Sequence, residues 1–327
     1  MGSSSIENHG AVEGSEGLKC AFVFPGQGSQ SVGMLAGFEG NPAVAQAIEA
    51  ASAALGEDLA ALISNGPAED LNLTVNTQPV MVACAAGFYQ AYRAAGGSAP
   101  SIMAGHSLGE YAALCAAGAL SLPEAVRAVR FRAQQMQSAV PVGVGGMAAV
   151  LGLSSDAIEA YCQEHTRPEA VVEAVNLNSP DQTVIAGHLS AVQSACEALK
   201  TIGAKRALML PVSAPFHSSL LEPAARALEQ HLPTLAWSTP SVPVLHNVDV
   251  RSHQAPQDMV AALAAQAMRP VQWVKTIQTM AGQGVTHIVE CGPGKVLSGL
   301  VKRIDPSLTT LQISDQASLD ACLEALK

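Results

Sequence analysis

Short apolar segments alternate with alanine-rich segments of helical periodicity along most of the chain. The apolar segments 20–24 and 101–107 each lead into a glycine-containing turn and are predicted to be strands. Segments 41–54, 78–95 and 122–139 are predicted to be helices. Because strand and helix alternate, the pattern is typical of a mostly parallel sheet with helices on both faces. The predicted fold class is therefore α/β.

The middle of the chain follows a different pattern. From Gly146 to about Val212 the predicted elements run in the order β-α-β-β-α-β. This order is typical of a small ferredoxin-like α+β unit. We therefore expect residues 143–212 to form a subdomain inserted into a larger α/β core, which residues 18–142 and 213–327 would build.

Composition excludes several classes of protein. The 327 residues are 49% hydrophobic and 13% charged, enough to bury a sizeable core. A formal net charge of -10 argues against binding to nucleic acid. No apolar run approaches the roughly 20 residues of a membrane span. Residues 1–17 are polar and glycine-rich, unlike a signal peptide, and we expect a flexible leader with a tag remnant.

Cysteine and histidine usage adds two expectations. The seven cysteines are scattered, odd in number and form no CxxC pair. This usage favours free thiols in a reducing cytoplasm. The nine histidines show no metal-ligand spacing, so no metal site is expected.

One serine lies between two glycines in the segment "AGHSLGEYAAL". Ser107 follows a predicted strand and precedes a predicted helix, with Gly105 and Gly109 on either side. A sharp strand-to-helix turn needs small residues there, and it exposes the hydroxyl for nucleophilic attack. The N–H of Leu108, at the start of the helix, would face the oxyanion. The alternative is a helix-capping serine in a plain turn.

A nucleophilic serine needs a base, and the residue pattern alone leaves the base open. His217 follows a predicted strand in "LMLPVSAPFHSSLL" and is the favoured candidate. His106 is adjacent to the serine, but at a sharp turn it would point elsewhere. His188, His246 and His287 also lie near strand ends, and each could be an ordinary loop histidine.

The loop "PGQGSQ" follows the first predicted strand. It is rich in glycine but lacks the Lys-Ser/Thr pair of a phosphate-binding loop. Ligands of α/β proteins bind at the carboxyl edge of the sheet, where this loop would lie. The N–H of Gln27 could therefore donate a second hydrogen bond to an oxyanion. The alternative is a plain turn between strand and helix.

Several stretches together resemble the malonyl-CoA:acyl carrier protein transacylases of type II fatty acid synthesis, within the acyltransferase superfamily. The resemblance runs from about Ala21 to the C-terminus, in order and spacing. It implies an α/β hydrolase-like core with an inserted ferredoxin-like subdomain. The stretches are "FVFPGQGSQSVGM", "GHSLGEYAAL", "RAQQMQSAVPVGVGGMAAVLGL", "NLNSPDQTVIAGH", "PVSAPFHSSLL" and "NVDV…QAMRPVQW…GPGKVLSGL".

The resemblance also implies a catalytic dyad. Ser107 matches the nucleophile that takes the malonyl group as an ester, and His217 matches its general base. Gln266 matches the residue whose main-chain carbonyl orients the histidine. A search for a triad acid would instead suggest Asp249 or Glu290, which the resemblance does not support.

Substrate contacts follow in the same way. The N–H groups of Gln27 and Leu108 match the oxyanion hole, and Arg132 matches the arginine that binds the malonyl carboxylate. Helix periodicity alone places Arg130 and Arg132 equally close to the apolar face and cannot choose between them. In related polyketide acyltransferases the residue before the base tracks the extender unit. Phe216 resembles the malonyl type, because its bulk would crowd a 2-methyl group.

The implied reaction transfers malonyl from malonyl-CoA to the phosphopantetheine thiol of acyl carrier protein by a ping-pong route. We expect no cofactor and a monomeric enzyme. The carrier protein is acidic, so docking on this acidic chain needs local basic clusters. The candidates are Lys205, Arg206, Lys302 and Arg303, which could also be ordinary solvated side chains.

Three other functions fit parts of the sequence. A serine thioesterase or patatin-like hydrolase would release free malonate, but Arg132 and the missing lipase-type "HGGG" stretch argue against it. A trans-acting acyltransferase of a polyketide synthase would share every residue named above. A non-catalytic binding module is disfavoured because Ser107 and His217 are both present.

Overall fold

Two separate sheets organise the chain in the computed structural model, which describes residues 18–212 and 214–327. The predicted leader, residues 1–17, lies outside the described residues. The strands are β1 (Cys20–Phe24), β2 (Ile102–Gly105), β3 (Gly145–Leu151), β4 (Val172–Ser179), β5 (Gln182–His188), β6 (Arg206–Met209), β7 (Val244–Leu245), β8 (His287–Cys291) and β9 (Thr309–Ile313).

Helices cover both sheets. They are α1 (Pro42–Leu55), α2 (Leu59–Asn65), α3 (Ala68–Leu71), α4 (Thr74–Ala94), α5 (Gly109–Ala116), α6 (Leu122–Ser138), α7 (Ser155–His165), α8 (Leu189–Thr201), α9 (Glu222–His231), α10 (Pro256–Gln266), α11 (Trp273–Gly282), α12 (Val296–Ile304) and α13 (Gln316–Ala325). Among the described helices, none is both long and apolar enough to cross a membrane.

The larger sheet is parallel and has the order β7-β2-β1-β8-β9. Its central strand, β1, is a continuous buried apolar run, as expected for a strand covered on both faces. Phe24 at the end of β1 pairs with Gly105 at the end of β2. The loops that follow these strands carry Gln27 and Ser107, so the two predicted oxyanion segments lie side by side at the carboxyl edge.

The smaller sheet is antiparallel and has the order β4-β5-β3-β6. Helices α7 and α8 pack on one of its faces around Ile158 and Val192. This is the ferredoxin-like arrangement that the β-α-β-β-α-β order predicts. Backbone hydrogen bonds tie the subdomain to the core, because the N–H of Val271 donates to Val175 over 2.9 Å and the N–H of Leu177 donates to Val271 over 3.1 Å.

The predicted elements in the first half of the chain match the structure closely. In the last third of the chain, several helices and one strand were not predicted. Strand β1 has the predicted bounds, and α1 begins one residue after Asn41, whose side chain caps it. Helices α10, α11 and α12 and strand β9 were missed. Strand β9 is a half-exposed edge strand whose sequence, TTLQI, lacks a continuous apolar run. All seven cysteines are free thiols, as predicted.

Candidate active site

Ser107 occupies the sharp turn between β2 and α5, in a left-handed conformation with φ +54°. The two flanking glycines are required by close backbone approach. A Cβ at Gly105 would lie 1.9 Å from the carbonyl of Gly109, and one at Gly109 would lie 2.2 Å from the carbonyl of Phe24. The turn therefore packs directly against the end of β1, and this packing presents the serine hydroxyl at the carboxyl edge.

The Ser107 hydroxyl contacts the predicted base. Its Oγ lies 2.7 Å from His217 Nε2, and His217 Nδ1 lies 2.7 Å from the main-chain carbonyl of Gln266. A carbonyl can only accept, so the neutral imidazole carries its proton on Nδ1 and turns its Nε2 lone pair toward the serine. Gln266 ends α10, so its carbonyl is one of those left free at a helix C-terminus.

His217 is buried and uncharged in its resting state. Burial, followed by the positive charge of Arg132, lowers the pKa of His217 to about 3. The imidazole is therefore in the form that can take a proton. The C-terminal end of α10, with its partial negative charge, favours the imidazolium that forms transiently when it does.

Arg132 on α6 reaches the same serine from the other side. Its guanidinium donates to Ser107 Oγ over 3.1 Å, to Gln78 Oε1 over 2.8 Å and to Gln266 Oε1 over 2.8 Å. The side chain is only 1% exposed. Arg130, which periodicity could not separate from it, instead forms a salt bridge with Glu57 at the surface.

A cavity of about 480 Å³ opens onto these groups. Its lining includes Gln27, Leu108 and Phe216 as well as the serine, the histidine and the arginine. Within the described residues, the N–H groups of Gln27 and Leu108 donate no hydrogen bond. Both are thus free to donate to an oxygen in the cavity. Phe216, half-buried and next to the base, forms part of the cavity wall.

Three residues that contribute to this geometry were missed at the sequence level. Asn247 Oδ1 accepts from the N–H of Ser107 over 2.8 Å, and its Nδ2 donates to the carbonyl of Gly105 over 2.7 Å. The side-chain amide of Gln78 accepts a hydrogen bond from Arg132, and the Glu110 carboxylate accepts one from the side chain of Gln266. A usable signal existed for Asn247 alone, since it follows β7 at the carboxyl edge of the sheet.

The other candidate bases have different partners. His106 Nε2 lies 2.8 Å from Asn178 Oδ1, away from the serine hydroxyl. His188 accepts from the N–H of Val171, and His287 contacts Thr286.

Neither of the acids that a triad search suggests contacts the base. Asp249 contacts His253, and Glu290 accepts from the N–H groups of Leu297 and Ser298. Across residues 18–212 and 214–327, no three His, Cys, Asp or Glu side chains come together in a way that could hold a metal ion.

The acyl transferase domain family matches residues 21–319, which is most of the chain. The chain belongs to this acyltransferase family. The acyltransferase is 50% identical over 304 residues to the malonyl CoA-acyl carrier protein transacylase of Salmonella typhimurium, covering 93% of this chain and 98% of that protein. It is 42% identical over 312 residues to the one of Bacillus subtilis, covering 94% and 98%.

Solved structures agree with this assignment. The acyl-carrier-protein S-malonyltransferase of Burkholderia pseudomallei has a TM-score of 0.92 with the acyltransferase at 55% identity, covering 94% of this chain and 100% of that one. The malonyl-transacylase PlMCAT, in complex with the type II polyketide synthase acyl carrier protein AntF, has a TM-score of 0.92 at 45% identity, covering 94% and 99%. The predicted family, fold class and enzyme class are confirmed.

The two basic clusters of the acyltransferase come together on one surface. Arg206 and Gln182 both pair with Leu151, on its opposite sides in the antiparallel sheet. Arg303, at the end of α12, donates to the side chain of Gln182 over 2.7 Å. Lys205 and Lys302 are their sequence neighbours, and all four cations are exposed. We call these four residues the basic patch.

Proposed function

We propose that this acyltransferase moves a malonyl group from malonyl-CoA to the phosphopantetheine thiol of acyl carrier protein, and so supplies fatty acid chain elongation. One observation carries the proposal. The Ser107 hydroxyl lies 2.7 Å from a neutral histidine and 3.1 Å from a buried guanidinium. One atom thus faces both a base and a group that binds carboxylates. The names of the relatives describe the same transfer.

Substrate binding begins at Arg132. A carboxylate that leaves water for a buried pocket must be paired, and a planar guanidinium can bind both of its oxygens. Acetyl-CoA has no such carboxylate and would leave the arginine unpaired, so it should bind poorly.

Acyl transfer to the enzyme then follows from the contacts of Ser107. His217 Nε2 takes the hydroxyl proton while Oγ attacks the thioester carbonyl. The resulting oxyanion accepts from the N–H groups of Gln27 and Leu108. When the intermediate collapses, the carbon–sulfur bond breaks and His217 returns the proton to the departing thiolate of coenzyme A. A malonyl ester of Ser107 remains.

The second half of the reaction repeats the steps of the first in reverse order, with the phosphopantetheine thiol in place of coenzyme A. His217 takes the proton of the phosphopantetheine thiol, the thiolate attacks the ester, and Ser107 leaves with the proton restored. This sequence is a ping-pong mechanism with a covalent intermediate. As proposed, it uses side chains and main-chain groups of the protein and needs no cofactor.

Intact-mass measurement tests the proposal directly. The wild-type enzyme should gain one malonyl group from malonyl-CoA and lose it when holo acyl carrier protein is added. Ser107→Ala should gain none, and a labelled Ser107→Ala protein would refute the assignment. Release of free malonate at the same rate with and without carrier protein would identify a hydrolase instead.

A polyketide synthase carrier is a second candidate acceptor. It is favoured by one of the similar structures, the malonyl-transacylase PlMCAT in complex with a type II polyketide synthase carrier protein. Transfer rates to a fatty acid carrier and a polyketide carrier, measured with the same malonyl-enzyme, separate the two candidates. A preference for the polyketide carrier would assign the chain to that role.

We also propose that the basic patch receives the carrier protein. Its four cations are Lys205, Arg206, Lys302 and Arg303, and charge complementarity with an acidic partner supports the assignment. A cytoplasmic location is proposed as well. It is supported by the seven free cysteines, which suit a reducing compartment.

A further inference from the structure

We infer that Glu110 is a positioning residue for acyl transfer, which acts through the side-chain amide of Gln266 on both the base and the carboxylate anchor. The inference rests on the proposed function. Glu110 is fully buried in the first turn of α5, three residues after the nucleophile. It does not touch the cavity, so any effect on the reaction must pass through other residues.

The Glu110 carboxylate meets three hydrogen-bonding groups. Its Oε2 accepts from Gln266 Nε2 over 2.8 Å and from the N–H of Asn247 over 2.9 Å. Its Oε1 lies 2.6 Å from His246 Nδ1. Burying a carboxylate is costly unless such partners are present. Here the partners come from the loop after β7 and from the last residue of α10.

Gln266 connects Glu110 to both functional groups. Its main-chain carbonyl contacts His217 Nδ1, and its Oε1 accepts from Arg132. Its Nε2 donates to Glu110 and to the main-chain carbonyl of Ser107 over 2.9 Å. Together with the Ser107 carbonyl, which also can only accept, Glu110 therefore fixes which end of the amide faces the arginine. With that acceptor withdrawn, nothing but the Ser107 carbonyl and the more distant Asn247 Oδ1 would hold the amide nitrogen.

Charge supports the same assignment. Across the described residues, Arg132 forms no salt bridge with a carboxylate. Burial lowers the pKa of Arg132, and the neighbouring Tyr111 and Glu110 oppose that shift. Glu110 thus also balances the buried cation at a distance, so position and charge must be separated by experiment.

Two substitutions separate the effect of the position of the Glu110 carboxylate from the effect of its charge. Glu110→Asp keeps the charge but withdraws the carboxylate by one methylene from Gln266. Glu110→Gln loses the charge but keeps the geometry. Its amide oxygen can accept from Gln266 and Asn247, and its amide nitrogen can donate to His246 in the other tautomer. If Glu110 acts by positioning Gln266, the aspartate variant should be impaired and the glutamine variant should keep most of the wild-type activity.

The experiment measures kcat for transfer and the ratio of kcat/KM for malonyl-CoA over acetyl-CoA, each corrected for the fraction of enzyme that accepts an acyl group. Glu110→Asp should lower kcat by about tenfold or more, as expected for a lost hydrogen bond to a charged group, and should narrow the ratio. Glu290→Asp is the matched control. Glu290 is another buried carboxylate with main-chain partners, away from the base, and its variant should keep the wild-type ratio.

Distinct outcomes overturn the inference. A Glu110→Asp enzyme with a wild-type ratio and a kcat lowered only by its inactive fraction would reduce Glu110 to a structural role. An impaired Glu110→Gln enzyme beside a Glu110→Asp enzyme with wild-type function would assign the effect to charge, because only the glutamine variant loses the charge. If the wild-type enzyme and Glu290→Asp form no malonyl ester, the proposed function itself fails.

Discussion

Arg132 donates a hydrogen bond to the hydroxyl of Ser107, across 3.1 Å. The group that would bind a carboxylate therefore contacts the atom that would attack a carbonyl. In a malonyl thioester, a single methylene separates the carboxylate from the reacting carbonyl. This short spacing matches an anchor that touches the nucleophile, and it ties recognition of the substrate to the position of its reacting carbon.

Arg132→Ala should therefore lower kcat/KM for malonyl-CoA far more than for acetyl-CoA. We expect a loss of about 100-fold or more for malonyl-CoA, because truncating one partner of a buried charge pair costs about 2–5 kcal/mol. Competition between the two labelled thioesters measures the change. Arg130→Ala is the matched control, since Arg130 lies two residues away on α6 and pairs with Glu57 at the surface. Unchanged selectivity in Arg132→Ala would point to another carboxylate anchor.

The activity of the enzyme should fall on the acid side only at a pH far below that at which histidine ordinarily takes up a proton. His217 works as a base only when neutral, and burial followed by the charge of Arg132 lowers its pKa to about 3. Activity should thus persist as the pH falls through 6.5 and disappear only near that lowered pKa. We would measure kcat/KM for acylation by acetyl-pantetheine, which has neither phosphates nor a carboxylate that would titrate in this range.

Removing the positive charge of Arg132 tests whether that charge helps to lower the pKa of His217. In Arg132→Ala the repulsion is gone, so the pKa of His217 should rise and the acid limb should move to higher pH. The free-enzyme pKa is the quantity that kcat/KM reports. A wild-type limb near pH 6.5, or a limb that does not move in the variant, would contradict the assigned electrostatics.

Gly109→Ala should destabilise the fold by at least about 2 kcal/mol, because its new methyl group would meet main-chain atoms that cannot rotate away. A Cβ there would lie 2.2 Å from the carbonyl of Phe24. Gly299→Ala is the control, since Gly299 lies in α12 with nothing within 4 Å of its Cβ position. That variant should gain roughly 0.5–1 kcal/mol from helix propensity. Urea unfolding of both proteins measures the difference, and equal midpoints would contradict the close-packed turn.

The turn around Ser107 was predictable because its chemistry is local. A strand, two glycines, a serine and a helix follow one another in the sequence, and this order of residue types is enough to predict the turn. The base could not be chosen in the same way. His217 lies 110 residues from Ser107, and although it was the favoured candidate, other histidines near strand ends also fitted the residue pattern. Only the resemblance to a known family separated it from them.

Buried polar contacts between distant segments were the least predictable. Asn247, Gln78 and Glu110 act through hydrogen bonds that join residues far apart in the chain. Periodicity likewise could not separate Arg132 from Arg130, because both flank the apolar face of α6. The difference comes from what lies opposite each of them, an amide-lined pocket for one and Glu57 for the other.

Charge reversal in the basic patch should weaken transfer to the carrier protein and spare the first half-reaction. We expect Arg206→Glu and Lys302→Glu to raise KM for acyl carrier protein, with the larger effect at low salt. Acylation of Ser107 by malonyl-CoA should stay at the wild-type rate. Arg226→Glu, which reverses an exposed arginine on α9 outside the patch, is the matched control. Equal KM values in all of these proteins would contradict docking at the patch.

Phe216 should limit the size of the acyl group that the cavity accepts. It packs against the apolar cluster that contains Met147, lines the cavity and precedes the base, so we expect a methyl branch on the malonyl carbon to meet its ring. Phe216→Ser should raise the ratio of kcat/KM for methylmalonyl-CoA over malonyl-CoA by about tenfold or more, since one methyl group in a tight pocket is worth about that factor.

The matched control is Phe131→Ser. Phe131 is also half-buried, but it stacks on His231 and is absent from the lining of the cavity. This substitution should lower stability without changing the ratio of the two substrates. Comparable turnover of malonyl-CoA and methylmalonyl-CoA by the wild-type enzyme would show that the Phe216 ring does not exclude the branch. A selective wild type whose ratio is unchanged in Phe216→Ser would instead place the discrimination elsewhere in the wall, where Met136 and Leu210 also face the cavity.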